Sequence, residues 1–242
     1  LLERYFFRKS AAIITVCPEL TRYVESTCIH KNIHLIPDFF QETALTFVQS
    51  EVDSLKNELL DFENQKIALY TGNLESYQGI DLLLSAWELI PSVKEFKLII
   101  VGGTSEQISQ LKVSHKCTNV TFLGKKPEHS LGNYYQISSI LVSPRTIGIN
   151  TPMKIYNYLA TGKTIVATDI ISHTQVLNSE LAFLGSTTPE SLCQALQGAF
   201  EENADDARKR HTLCREVARN NYSLSKFRNR VLECYRTLCL KN

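Results

Sequence analysis

The stretch Ser143–Asp169, "SPRTIGINTPMKIYNYLATGKTIVATD", decides the fold. It reads as the end of a strand, a polar loop, a helix, a Gly-Lys turn and a second strand. Thr151 is placed to cap the helix and Pro152 to open its first turn. A helix N-terminus presents unpaired N–H groups and partial positive charge, which suits an anion. Gly148 lets the preceding loop close around such a group. Lys154 and Asn157 are three residues apart and share one helix face, whereas Ile155, Tyr156 and Leu159 form another that can pack on a sheet. Lys154 can then neutralise a phosphate while Asn157 bonds sugar hydroxyls. The competing reading is a capped amphipathic helix with a solvated lysine.

Outward from this block the chain alternates. Strand-length apolar runs occur at "KIALYTG", "FKLIIVGG", "NVTFLGK", "SSILVSPR", "KTIVATD" and "LAFLG". Helical patterns lie between them; in "IDLLLSAWELI", Ile80, Leu83, Leu84 and Trp87 make one apolar stripe. Runs apolar on both faces belong to a parallel sheet covered on each side. The alternation predicts a doubly wound, Rossmann-like α/β domain from about Lys66 to Thr187, followed by helices only. The first residues differ. "AAIITVC" and "IHLIPDFF" read as strands around the helix "PELTRYVEST", like the remnant of a second α/β domain. The expected division is a 1–60 tail with linker and a 61–242 domain.

Ligands of open α/β sheets bind beyond the carboxyl ends of the strands. Here those ends carry Gly72-Asn73, Gly102-Gly103, Gly124-Lys125, Ser143-Pro144-Arg145 and Thr168-Asp169. Any one glycine can simply turn the chain; five such ends in series point to a crevice. There is no GxGxxG fingerprint, no P-loop and no GxSxG elbow. His30 and His34 stand four apart, but without the zincin Glu and within a strand-like run, so no metal site is expected.

Bulk properties exclude several classes. The 242 residues carry a formal charge of +1, which gives no electrostatic case for nucleic acid. No apolar run approaches the roughly 20 residues that span a bilayer. Seven scattered cysteines without a CxxC pair read as reduced core residues, hence a cytoplasmic setting. The only methionine is Met153, so residue 1 is expected to be a cut, a processing site or the start of an incomplete sequence.

The order "YTGNLESYQGIDLLLSAW", "KLIIVGG", "NVTFLGKKP" and the Ser143–Asp169 block resembles the C-terminal domain of glycosyltransferase family 4 over nearly the whole chain. The most specific part is Pro152–Asp169, which is similar to the family's P-x-K-[IL]-x-E-Y-x-A-x-G-K-P run. The resemblance implies the C-terminal half of a two-domain GT-B enzyme. Such an enzyme transfers a sugar with retention from a nucleotide-diphosphate sugar to a sugar or lipid-linked acceptor, in glycan or polysaccharide synthesis. It implies no metal or other cofactor. Gly148, Asn150, Thr151 and Asn157 would cradle diphosphate and ribose; Gly124 and Lys125 would flank the base; Gly72, Asn73 and Gly102 would line the donor site. Membrane contact would come through a missing N-terminal acceptor domain.

Four positions depart from the family pattern. Asn73 and Gln78 stand where members often carry Arg and Lys, and Ile149 and Asn157 replace the E-x7-E pair. Arg145 and Lys154 are the expected substitutes as the catalytic, diphosphate-facing cations. Two rival functions stay open: a non-catalytic nucleotide-sugar-binding module, and a sugar-nucleotide epimerase using His173 and Asp169.

Overall fold

The computed structural model describes residues 2–29, 32–91 and 95–239; His30 lies outside them, so the His30/His34 pairing has no structural counterpart to report. Helix α1 (Leu2–Lys9) leads into strand β1 (Ile13–Thr15), helix α2 (Pro18–Thr27) and strand β2 (Ile33–Leu35). β1 and β2 form a parallel two-stranded sheet of their own. A 3-10 turn (Glu42–Leu45) and α3 (Gln49–Leu59) then lead into the main domain.

That domain runs β3 (Lys66–Thr71), α4 (Ile80–Glu88), β4 (Phe96–Val101), α5 (Ser105–Ser114), β5 (Val120–Gly124), α6 (Leu131–Ile137), β6 (Ile140–Ser143), α7 (Met153–Thr161), β7 (Thr164–Thr168), α8 (Ile171–Thr174) and β8 (Ala182–Gly185). The helices α9 (Pro189–Glu201), α10 (Ala204–Asn221) and α11 (Leu224–Cys239) follow. All six strands are parallel, in the order β5-β4-β3-β6-β7-β8. This is the doubly wound, Rossmann-like parallel sheet that the alternation predicts.

Two-residue periodicity explains why both sheet faces are buried. On β3, Ile67 and Leu69 join a core with α3, α6, α7 and α10, while Ala68 and Tyr70 join a second core with α4 and α9. β4 divides the same way, with Ile99 and Val101 on one side and Leu98 and Ile100 on the other. Both layers exclude water, so the strands carry no polar outer face. The chain order reverses between β3 and β6, which pair through Ala68–Ile140 and Leu69–Leu141. That reversal opens a crevice at the carboxyl ends.

Two local expectations are corrected. α7 begins at Met153, with Pro152 in extended conformation as its N-cap and no side-chain capping bond. Thr151 therefore does not cap; its Oγ1 is buried without a hydrogen bond of ordinary geometry. Pro152 still suits the site, since it has no N–H to leave unpaired. The short helix read in "HTQVLNS" lies earlier, at Ile171–Thr174.

Candidate donor site

Two tyrosines and a threonine fix the switch point. The Tyr158 hydroxyl lies 3.1 Å from Thr71 Oγ1 and 3.3 Å from the Thr71 N–H, and 3.5 Å from the Val142 carbonyl. Tyr135 packs edge-on against Tyr158, with its hydroxyl 3.4 Å from Thr71 Oγ1. α6 and α7 are thereby pinned to the ends of β3 and β6. Burial holds the Tyr158 phenol well above its ordinary pKa, so it acts as a neutral hydrogen-bonding group.

Beyond these strand ends is a cleft of about 260 Å3, lined by Gly72, Asn73, Gly102, Gly103 and Lys125 among others. Gly124 adjoins it, its carbonyl accepting from the Gly102 N–H at 2.7 Å. Asn73 has turned its side chain to its own loop, accepting from the Glu75 N–H at 3.3 Å. Lys125 is exposed at the rim.

Lys154 comes up from α7 behind Gly72, one wall of this cleft, without lining the cleft itself. Its Nζ lies 4.0 Å from the centroid of the Tyr70 ring and donates to Gln78 Oε1 at a long 3.4 Å. A Cβ at Gly72 would stand 2.8 Å from that Nζ, so the glycine keeps room for the ammonium. Among the described residues no carboxylate pairs with Lys154 or Arg145. The lysine is half-buried as a residue, with its ammonium end enclosed. Desolvation, and then the Arg145 guanidinium, lower its pKa to about 7.

Arg145 folds back on its own loop. Nε donates to the Ile147 carbonyl at 2.8 Å, Nη1 to the Asn150 carbonyl at 3.1 Å and Nη2 to Asn150 Oδ1 at 3.5 Å. The guanidinium also lies 5.3 Å from the centroid of the Tyr77 ring. A Cβ at Gly148 would fall 2.3 Å from Nη2, so glycine is needed for this closure. Arg145 thus shapes the Gly148–Thr151 loop and places positive charge at its base. Its expected direct approach to a phosphate would come only from N–H groups left over by the loop.

Asn157 departs from expectation. Its Oδ1 accepts from the Gln41 N–H at 2.8 Å, beside the 3-10 turn. One acceptor site of Asn157 therefore serves the linker, and Lys154 and Asn157 meet different protein neighbours although they share a helix face. Ile149 also has a structural task. Its carbonyl accepts from Gln175 Nε2 at 2.7 Å, and Gln175 Oε1 accepts from the Glu19 N–H at 3.4 Å. Gln175 so links the loop to the start of α2.

His173 is a core residue. It is fully buried, with Nδ1 donating to the Thr168 carbonyl at 2.9 Å and Nε2 accepting from the Ser143 hydroxyl at 2.9 Å. Desolvation lowers its pKa to about 4. With both nitrogens occupied and no route to solvent it is not an acid–base group, and Asp169, exposed at the next strand end, gains no partner from it. Among the described residues no cluster of three His, Cys, Asp or Glu could hold a metal. A wider cleft of about 590 Å3 lies away from the strand ends, around Glu202 and Arg210, whose side chains pair at 2.8 Å.

Tyr70, Tyr77 and Gln175 were not singled out as site residues from sequence, and Gln78 was noted only as a departure from a basic family position, not as the partner of Lys154. All four meet Lys154, Arg145 and Ile149 only through folding.

The comparisons with known proteins bear on the fold and the family. Lipopolysaccharide 1,2-N-acetylglucosaminetransferase of Salmonella typhimurium is 23% identical over 168 residues, covering 65% of this chain and 44% of that protein. A glycosyltransferase from Rickettsia africae superposes with a TM-score of 0.83 at 20% identity, over 100% of this chain and 67% of its own. HepE of Anabaena in complex with UDP-glucose gives 0.83 at 14% identity, over 96% and 65%. The chain spans less than half the length of the Salmonella relative. The family described as "Glycosyl transferases group 1" matches residues 51–220, the whole six-stranded domain with its strand-end crevice, and the chain belongs to that family.

Proposed function

We propose that this chain is the donor-binding half of a retaining, family 4 glycosyltransferase. The enzyme would take a hexosyl group from a nucleotide-diphosphate sugar and pass it to a sugar or lipid-linked acceptor in glycan or polysaccharide synthesis. The observation that carries the reading is an enclosed ammonium, Lys154, near the topological switch point with no carboxylate among the described residues to neutralise it. An unpaired buried cation is costly unless an anion completes it. As the sugar leaves, negative charge develops on the nucleoside diphosphate, and fixed positive groups stabilise it. Lys154 is the direct contact; Arg145 acts through the loop. Gly72, Gly102, Gly124 and Lys125 line the nucleotide, and N–H groups around Gly148, Asn150 and Thr151 face the phosphates. Asn157 contributes through its amide nitrogen.

The remaining parts of the proposal concern the whole enzyme. Residues 1–60 would be the tail and linker of an acceptor domain, which would supply most acceptor contacts and any membrane contact, and residues 61–242 the donor domain. The HepE structure with UDP-glucose supports the donor class, and the name of the Salmonella relative supports a glycoconjugate acceptor. We propose that the reaction uses no metal and takes place in the cytoplasm.

The test is thermal unfolding with UDP, GDP and ADP and their common sugars. A ligand at about 100 times its Kd adds about 2.7 kcal/mol. A shift with one nucleotide supports the donor site and names the base; none, with folded protein, counts against it. A non-catalytic binding module is the second reading, favoured by the Asn73, Gln78 and Ile149 replacements. It predicts binding without turnover when the acceptor half is present.

A further inference from the structure

Side chains hold three carbonyls of the loop before α7. Arg145 Nε and Nη1 donate to those of Ile147 and Asn150, at 2.8 and 3.1 Å, and Gln175 Nε2 donates to that of Ile149 at 2.7 Å. Among the described residues no peptide bond is cis. In a trans peptide the carbonyl and the N–H of the next residue point in opposite directions. Fixing the Ile149 carbonyl therefore turns the Asn150 N–H away from Gln175, and Arg145 does the same for the N–H groups of Gly148 and Thr151.

The other end of the Gln175 amide caps a helix of the tail. Helix α2 has Cys17 at its N-cap with no side-chain capping bond, and Pro18, which has no N–H, at its start. The Thr21 N–H already bonds the Cys17 carbonyl at 3.2 Å. The Glu19 N–H has no partner within α2, and Gln175 Oε1 accepts from it at 3.4 Å, across 156 positions of sequence. Cys17 Sγ lies 3.8 Å from the same Ile149 carbonyl that Gln175 holds. One neutral amide thus donates to the loop and accepts from the tail.

We infer that Gln175 is a positioning residue that aims the Asn150 N–H and couples the loop to α2, so that ligand binding at the loop and seating of the tail strengthen each other. The ligand part rests on the donor-site reading above; the bridge between loop and tail does not. Coupling of this kind is reciprocal. A loop stiffened by an anion holds the amide that caps α2, and a seated α2 holds the amide that sets the loop.

Two substitutions take the bridge apart. Gln175→Glu keeps an acceptor for the Glu19 N–H, at the positive end of α2, but has no donor for the Ile149 carbonyl. Gln175→Met keeps the length of the side chain and loses both bonds. The measurement is hydrogen exchange of the Glu19 amide by NMR. Without ligand, Gln175→Met should speed it about fivefold and Gln175→Glu should leave it near wild type. Gly148→Ala, which disturbs only the loop, should speed it about twofold in the wild-type background and not at all in Gln175→Met. An unchanged Glu19 amide in Gln175→Met, or an equal effect of Gly148→Ala in both backgrounds, overturns the bridge.

The same amide is then followed with inorganic pyrophosphate, UDP, GDP and ADP. A ligand that binds should slow Glu19 exchange about fivefold in wild type and leave it unmoved in both variants, and Gln175→Met should bind that ligand about fivefold more weakly. A purely structural amide would not transmit the ligand to α2, so slowing that persists in Gln175→Met overturns the coupling. If Gln175→Met does not fold, Gln175→Glu decides: normal protection without ligand and no response to it supports the inference, and a full response refutes it. Wild type binding none of the four would sink the donor-site reading, while the Gly148→Ala comparison still decides the bridge.

Discussion

Two buried basic groups lie on either side of the loop that follows β6, and they have opposite fates. His173 is held by the Ser143 hydroxyl and the Thr168 carbonyl, both at 2.9 Å. Lys154 has one 3.4 Å bond and an aromatic ring. Burial lowers both pKa values, to about 4 and about 7. The histidine loses nothing by this, because its neutral form satisfies every bond it makes. The lysine is left as a group whose charge finds no counter-ion within the described protein. The difference teaches that a strong pKa shift does not by itself mark a functional group; what sets Lys154 apart is a charge that its surroundings leave unmet. His173 is an architectural strut: the Thr168 hydroxyl beside its ring donates to the Arg145 carbonyl, which ties the strut to the loop.

The contrast can be broken first at the strut. His173→Ala should cost about 3 kcal/mol in urea unfolding, because it opens a cavity and orphans buried polar groups. Nucleotide affinity measured on the remaining folded fraction should change little by comparison. A loss below about 1 kcal/mol would mean the histidine is not the strut.

Acid should produce a similar effect. The folded pKa near 4 lies below the unfolded value near 6.5, so the unfolded chain binds the proton first. The stability contributed by neutral His173 is complete above pH 6.5 and falls as pH drops towards 4, by on the order of 3 kcal/mol. Lys154 follows the same sign in a higher window: from about pH 7 to 10.5, stability should rise with pH. Unfolding measured across both windows in Lys154→Met should remove the upper slope only.

A smaller effect is expected at the loop itself. Gly148→Ala places a Cβ 2.3 Å from the Arg145 guanidinium at a φ of +150°. It should cost about 1 kcal/mol of stability and weaken nucleotide binding severalfold, since Arg145 must release Ile147 or Asn150. Lys154→Met at pH 7 should not lower stability, because it removes a charge that folding leaves without a counter-ion, while anion affinity drops. A large stability loss there would place Lys154 with His173 as a structural residue.

Much of this arrangement was legible in the residues. Strand-length runs apolar on both faces required a sheet covered on each side, and the glycine-rich ends marked the edge where a ligand could approach. Gly162 ends α7 in the left-handed conformation that its position after "YLAT" suggests. The site was legible only in part. Lys154 was found from its helix face, but its partners were not, because Gly72, Tyr70 and Gln78 lie on other elements. Thr151 was misread because a Thr-Pro pair signals a cap whether or not the hydroxyl turns towards the helix. Asn157 was assigned to a ribose from its helix face, and spacing could not show that the Gln41 N–H also reaches its Oδ1.

By itself, the sequence determined the alternation of strand and helix, the two-faced burial of the sheet and the family, since each follows from local periodicity and a contiguous motif. Tertiary structure alone decided which cation stays unpaired. A counter-ion is a matter of distance in space, and the groups that surround Lys154 and His173 come together only when β3, β6 and α7 have packed.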